Sequence, residues 1–245
     1  MNRIQKLFAR TRAEGRGAYV AYLTMGAPTL ADSFAAAETV IREGADILEL
    51  GVPFSDPVAD GAVIRKAAAR ALANGVRLAD VLAEIPAFRA RHPETPLVVF
   101  SYYNPILQYG LERFAADAAK AGVDAVLVVD LPLEERDELV SVLKPHGLTF
   151  VPLIAPTTGA DRIVASAKGL EDSFFYVVTV KGVTGQRATL PPDLAARLEE
   201  IRRLTRVPAV AGFGIKTPEE GQAIAAHCDG FVIGSALVQR LQLGE

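Results

Sequence analysis

The feature that most constrains this chain is a repeating pair of patterns. Short, nearly continuous aliphatic runs alternate eight times with longer, alanine-rich amphipathic stretches. A run such as Ala125-Val126-Leu127-Val128-Val129 has no polar face, so as a strand it must be covered on both sides, as in a parallel sheet clothed with helices. Strands are expected at 19–25, 46–50, 97–102, 125–129, 149–154, 174–180, 209–211 and 230–233. Helices are expected between them at 30–42, 63–73, 78–89, 111–121, 134–144, 160–167, 192–204 and 218–226, with a short closing helix at 236–243. Eight βα units close most naturally into an α/β barrel, the (β/α)8 or TIM barrel, here with an extra N-terminal helix. At 245 residues one such barrel accounts for 1–245 as a single domain.

Local punctuation agrees with this architecture. Thr217-Pro218-Glu219-Glu220 supplies an N-cap, a proline at the first helical position and acidic residues in the first turn, while Gly44, Gly122 and Gly147 fall where helices should stop. The closing helix is short, as if truncated. No linker-like or single-sign segment divides the chain. A net charge of −3 without a basic patch points away from nucleic acid. The N-terminal segment lacks a signal-peptide apolar stretch and no run is long enough to span a membrane. A lone cysteine, Cys228, excludes an internal disulfide and fits a reducing compartment, so a cytoplasmic location is expected. His92, His146 and His227 are scattered without ligand spacing, so no metal is expected.

Two carboxylates stand out. Glu49 ends the apolar run Asp46-Ile47-Leu48-Glu49-Leu50, and Asp60 follows eleven residues later beside Gly61. A carboxylate in a buried strand either finds a cationic partner or has its pKa raised, and a raised pKa suits a general acid or base near neutral pH. Asp60, in a polar loop, is expected to stay ionised; unlike surroundings permit unlike roles. The bland alternative pairs Glu49 with a neighbouring base and leaves Asp56 and Asp60 shaping turns.

Glycines mark the carboxyl ends of the last strands: Gly182-Val183-Thr184-Gly185, Gly212-Phe213-Gly214 and Gly234-Ser235. Backbone N–H groups exposed at such turns, at the barrel face where reactive sites lie, suit a phosphomonoester. Gly185, Gly214, Gly234 and Ser235 are the candidate phosphate ligands, with Phe213 as a wall. Tyr22, Phe100, Tyr102, Leu127, Ile154 and Tyr176 fall near the same end and together suggest a slot for a flat apolar group, although each alone reads as core packing before ligand contact.

The run from Leu48 to Gly61, LELGVPFSDPVADG, resembles the signature of the tryptophan synthase alpha subunit family. Tyr102-Tyr103-Asn104-Pro105-Ile106, Asp130-Leu131-Pro132, Gly182-Val183-Thr184-Gly185, Gly212-Phe213-Gly214-Ile215 and Gly234-Ser235-Ala236 resemble it in the same order. The resemblance implies retro-aldol cleavage of indole-3-glycerol phosphate to indole and glyceraldehyde 3-phosphate. It implies Glu49 as acid and base, Asp60 stabilising charge at the indole nitrogen, and Tyr176 as an active-site tyrosine, with Ile64 and Thr184 added to the substrate contacts. It implies no cofactor in this chain and a beta subunit partner that carries pyridoxal phosphate, the two forming an α2β2 complex. Pro53, Asp56, Asn104 and Pro105 match partner-facing loops, and the segment 180–189 matches a lid.

The chain departs from the family's usual residues at Ala27, Ala62, Val63, Arg65, Gln108 and Lys181, two of which add positive charge. Lys181 after the sixth strand offers a different chemistry, a Schiff-base aldolase, if its pKa were lowered. A stand-alone indole-3-glycerol phosphate lyase and a catalytically weak regulatory partner remain the other readings of the same residues.

Overall fold

The computed structural model describes residues 1–178, 192–212 and 214–244. Helix α1 (Arg3–Ala13) leads into β1 (Ala18–Thr24), α2 (Leu30–Arg42), β2 (Ile47–Gly51), α3 (Ala62–Ala73), α4 (Leu78–Arg91), β3 (Leu97–Ser101), α5 (Tyr103–Tyr109), α6 (Leu111–Ala121) and β4 (Ala125–Val128). There follow α7 (Arg136–Leu143), β5 (Thr149–Phe150), β6 (Leu153–Ile154), α8 (Ala160–Ala167), β7 (Phe175–Val178), α9 (Pro192–Leu204), β8 (Ala209–Gly212), α10 (Pro218–Ala225) and β9 (Gly230–Ile233). The closing helix is α11 (Ser235–Leu237), which continues as a wider π-type turn, Val238–Leu243.

All strand pairs are parallel, in the order β5-β4-β3-β2-β1-β9-β8-β7-β6. The expected fifth strand, 149–154, is present as two pieces. Pro152 has no N–H to donate to a ladder, which breaks the strand there. The segment nonetheless joins both edges of the sheet. The Val151 N–H donates to the Val126 carbonyl at 2.8 Å, and the Pro152 carbonyl accepts from the Tyr176 N–H at 3.0 Å. The sheet therefore closes on itself as the expected eight-position barrel.

Period-two alternation sends Val20 and Tyr22, Ile47, Val98, Ala125 and Leu127, Val210 and Val232 to the barrel interior. Helix α1 plugs the amino end with Ile4, Leu7 and Phe8, whose ring lies 5.8 Å from that of Phe174. It is started by Asn2 and Gln5, which cap each other's backbone N–H groups. Two buried aspartates anchor the same end. Asp46 accepts from Arg16 at 2.6 and 2.8 Å and from the Tyr19 N–H at 3.0 Å. Asp124 accepts from Arg89 at 2.7 Å, from Arg3 at 2.9 Å and from the Leu97 N–H at 2.9 Å. Each pair is saturated with hydrogen bonds, the condition under which a buried charge is tolerated.

Helix α5 was not expected from the sequence, because Asn104-Pro105 reads as a loop. Pro105 sits in the first turn, where a backbone N–H has no intrahelical partner to lose. Strand β7 begins at Phe175, one residue later than expected, and is described as far as Val178; residues 179–180 of the expected strand lie outside the described residues. At the far end of the chain, Gln242 is buried and its side chain clamps the end of β1. Its oxygen accepts from the Thr24 N–H at 3.0 Å, and its amide donates to the carbonyls of Thr24 at 2.6 Å and Ala27 at 2.9 Å.

Candidate active site

Strand β2 delivers the central group. Ile47, Glu49 and Gly51 share its inner face, so Glu49 projects into the barrel beside its β1 register partner Tyr22. Glu49 is 0% exposed, and neither of its carboxyl oxygens has a hydrogen-bond partner among the described residues. The pairing with a cation that would have made it structural is absent among those residues. Burial alone pushes its pKa from 4.5 up to about 8, so at neutral pH it holds a proton.

Asp60 stands on the loop between β2 and α3, held by Tyr102. The Tyr102 hydroxyl accepts from the Ala59 N–H at 2.9 Å and is hydrogen-bonded to Asp60. Burial raises the Asp60 pKa to about 6 against the opposing effects of that hydrogen bond and the charge of Arg65. Asp60 therefore stays mostly ionised at pH 7, as its polar loop led one to expect, but it is partly enclosed, which brings its pKa closer to neutrality.

Aromatic rings line the space between them. Tyr22 and Phe100 meet edge to face at 5.0 Å, Phe100 and Tyr176 lie 6.4 Å apart, and Leu127 is the register partner of Phe100. Two strand glycines create room for the tyrosine tips. A Cβ on Gly51 would fall 2.3 Å from the Tyr22 hydroxyl oxygen, and one on Gly212 would fall 2.3 to 2.4 Å from the tip of Tyr176. Ile64 is half-buried and packs against the interior cluster. Ile154 is set apart from these residues: it packs outward with Ile163 and Leu198, because alternation from the inward-facing Val151 turns residue 154 toward the helices.

Of the glycine turns, Gly214 adopts φ +81°, a backbone conformation suited to glycine, and Gly234 precedes Ser235 at the start of α11. Gly234 lies against Tyr22, its notional Cβ 3.5 Å from the tyrosine Cβ. Thr184, Gly185 and Phe213 lie outside the described residues, as do Lys181 and the segment 180–189. On the loops at this end, Asp56 and Asn104 are exposed, Pro105 is half-buried and Pro53 is buried. Beside them Val58 is 87% and Leu107 47% exposed, an apolar contribution that the sequence pattern did not single out. Gly51 and Gly212 were missed as site-shaping residues as well; only the tyrosines across from them reveal their purpose. Among the described residues no group of three or more His, Cys, Asp or Glu is placed to hold a metal ion.

A closed parallel barrel with a buried, protonated glutamic acid and a second carboxylate against an aromatic wall at its carboxyl end belongs to the (β/α)8 class. Residues 8–244 match the model of the family described as Tryptophan synthase alpha chain, and the chain belongs to that family. It is 45% identical over 245 residues to the tryptophan synthase alpha chain of Chloroflexus aggregans, covering 99% of this chain and 90% of that one. It is 46% identical over 239 residues to that of Citrifermentans bemidjiense, covering 98% and 89%. Among solved structures, tryptophan synthase subunit alpha of Legionella pneumophila superposes with a TM-score of 0.89 at 38% identity, covering 98% and 88%. A chain of the tryptophan synthase α2β2 complex of Pyrococcus furiosus superposes with a TM-score of 0.81 at 36% identity, covering 91% and 90%.

Proposed function

We propose that Glu49 and Asp60 carry out in this chain the reaction of its family, the retro-aldol cleavage of indole-3-glycerol phosphate to indole and glyceraldehyde 3-phosphate. The observation that carries the reading is Glu49: fully buried, without a hydrogen-bond partner among the described residues, and protonated at neutral pH. As an acid it gives its proton to the indole carbon that bears the glycerol chain. The ring nitrogen then carries positive charge, which the Asp60 carboxylate stabilises. The carbon–carbon bond breaks with its electron pair returning to the ring, while the hydroxyl proton on the adjacent chain carbon passes to the Glu49 carboxylate. Glu49 regains its proton as the aldehyde forms. Every proton and electron pair is accounted for by substrate and carboxyl groups, so the scheme needs no cofactor in this chain.

Tyr22, Phe100, Leu127, Ile64 and Tyr176 supply a flat apolar enclosure for the indole, and Gly214, Gly234 and Ser235 supply backbone donors for the phosphate. The loops bearing Asp56 and Asn104, with the exposed Val58 and Leu107, are proposed to face a pyridoxal phosphate-bearing beta subunit in an α2β2 complex. Support for that partner comes from the structural likeness to the Pyrococcus furiosus complex. Among the described residues no helix is long and apolar enough to cross a membrane, and a cytoplasmic location forms part of the proposal. Indole release from indole-3-glycerol phosphate, measured on the chain alone and with a beta subunit, tests it. Absence of release in both conditions would refute it.

A further inference from the structure

We propose that the amino end of the barrel holds a second binding site, for a small monocarboxylate with an apolar body, gripped by Arg12 and Arg202. It lies at the opposite end of the strands from Asp60 and does not depend on the chemistry assigned to the two carboxylates there.

A cavity of about 380 Å³ opens between α1, α9 and α10, within the range of small-ligand sites. Arg12, Arg16, Arg202 and Asp229 line it, with Phe8 and the buried Cys228 on its apolar side. At roughly 30 Å³ for each water-sized volume, it has room for about a dozen atoms of that size.

The barrel uses one device three times at this end, and its third copy is incomplete. Asp46, Asp124 and Asp229 each stand just before a strand and accept an N–H from the start of the neighbouring one: Tyr19 at 3.0 Å, Leu97 at 2.9 Å and Ala209 at 2.9 Å. At the first two, arginines close on the carboxylate, Arg16 at 2.6 and 2.8 Å on Asp46, Arg89 at 2.7 Å and Arg3 at 2.9 Å on Asp124. Arg3 and Arg89 also donate to the carbonyls of Pro93, Gly122 and Thr95. At Asp229 the arginines stand off. Arg12 reaches it at 3.5 Å and Arg202 at 3.9 Å, and among the described residues neither guanidinium donates to a carbonyl. Arginines serving only to neutralise Asp229 would close on it as the others do.

Charge identifies the ligand class. Arg10 and Arg16 are matched by Asp46 and Glu14, whereas Arg12 and Arg202 share the single carboxylate of Asp229. One positive charge at the cavity is left unanswered. A guanidinium fork takes a carboxylate in two parallel hydrogen bonds, and one negative charge restores the balance. A phosphomonoester, at about −1.5 to −2, would overshoot it beside Asp229. The Phe8 wall receives the apolar body, and an occupant bridges α1 to α9.

The test is calorimetric titration of the full chain with benzoate, beside acetate and inorganic phosphate, repeated on Arg12→Gln and Arg202→Gln, with thermal melting to check that each variant folds. Cys228, the only cysteine of the chain, reports location, because benzoate in the cavity should slow its alkylation by iodoacetamide. The expected result is millimolar benzoate binding, tighter than that of acetate or phosphate, weakened about ten-fold by either substitution, with the thiol protection lost in step. No benzoate binding up to about 10 mM overturns the proposal. Binding equal in parent and variants overturns it too, by placing the ligand elsewhere, and phosphate binding as tight as that of benzoate overturns the ligand class. If Arg12→Gln does not fold, Arg202→Gln carries the decision.

Discussion

Replacing Glu49 with glutamine should make the protein more stable and nearly inactive, with a gain in stability that depends on pH in a defined window. In the unfolded chain the Glu49 carboxyl titrates near 4.5, and in the fold burial moves it to about 8. Between these values the unfolded state has lost a proton that the native state still holds, so native stability falls as pH rises through the window, at about 1.4 kcal/mol per pH unit. That contribution is fully present below 4.5, reduced by roughly 3 kcal/mol at pH 7 and by roughly 5 kcal/mol once pH exceeds 8. Glutamine matches the neutral acid in shape and does not titrate. Denaturant unfolding of parent and variant at pH 4, 7 and 9 should therefore show similar stabilities at pH 4 and a gap of a few kcal/mol in favour of the variant at pH 7 and above. Turnover should fall at least about 10²-fold, the scale of one general acid/base, with substrate binding changed far less. A stability difference that does not vary with pH would show that Glu49 has a partner in solution, and the protonated-acid reading would go with it.

Gly212→Ala should drive a methyl group into Tyr176, costing about 1–3 kcal/mol of stability and lowering kcat, read by thermal melting beside an indole-release assay. Unchanged melting and rate would mean the tyrosine tip moves aside without cost. Gly234→Asp should leave the fold intact, since its Cβ meets only ordinary contact, yet raise the dissociation constant for glycerol 3-phosphate by placing negative charge at the anion site; calorimetric titration checks it. Asp56→Ala removes an exposed carboxylate whose contact within the chain is with Ser55 at 2.5 Å. It should weaken binding to a beta subunit by about 2–5 kcal/mol if that carboxylate is paired in the interface, and should leave cleavage by the isolated chain nearly unchanged. Pulldown and indole release measured together separate these effects.

Most of the barrel was legible because its signals are local and repeated. Apolar runs, capping residues and helix-ending glycines each act within a few positions, and helices α2, α6, α8 and α9 lie where the periodicity puts them. The departures are also local in cause but opposite in reading. Pro152 splits a strand that composition suggests is continuous, and Pro105 is absorbed by a helix that it would break one turn later. Glu49 was legible as an anomaly, a carboxylate in an apolar run. Its isolation was not, since the absence of a partner is a fact about every surrounding strand. The partial burial of Asp60 depends on Tyr102, 42 positions away, and the niches at Gly51 and Gly212 depend on tyrosines of neighbouring strands. No sequence window contains such pairs.

The Gln242 clamp gives site formation a clock. Its bonds to Thr24 join residues 218 positions apart, so during synthesis the strand that bears Tyr22 and Thr24 leaves the ribosome long before the side chain that secures it. At roughly 5–20 residues per second the interval is about ten to forty seconds. Until then the end of β1 is held from the β2 side, where the Met25 N–H donates to the Gly51 carbonyl at 2.8 Å, but lacks the Gln242 bonds, and β9, its other neighbour in the sheet, has not been made either. The wall around Glu49 is thus completed by a residue made 218 positions after the strand it secures, and a nascent chain stalled between the two would hold Glu49 in a half-built wall open to water.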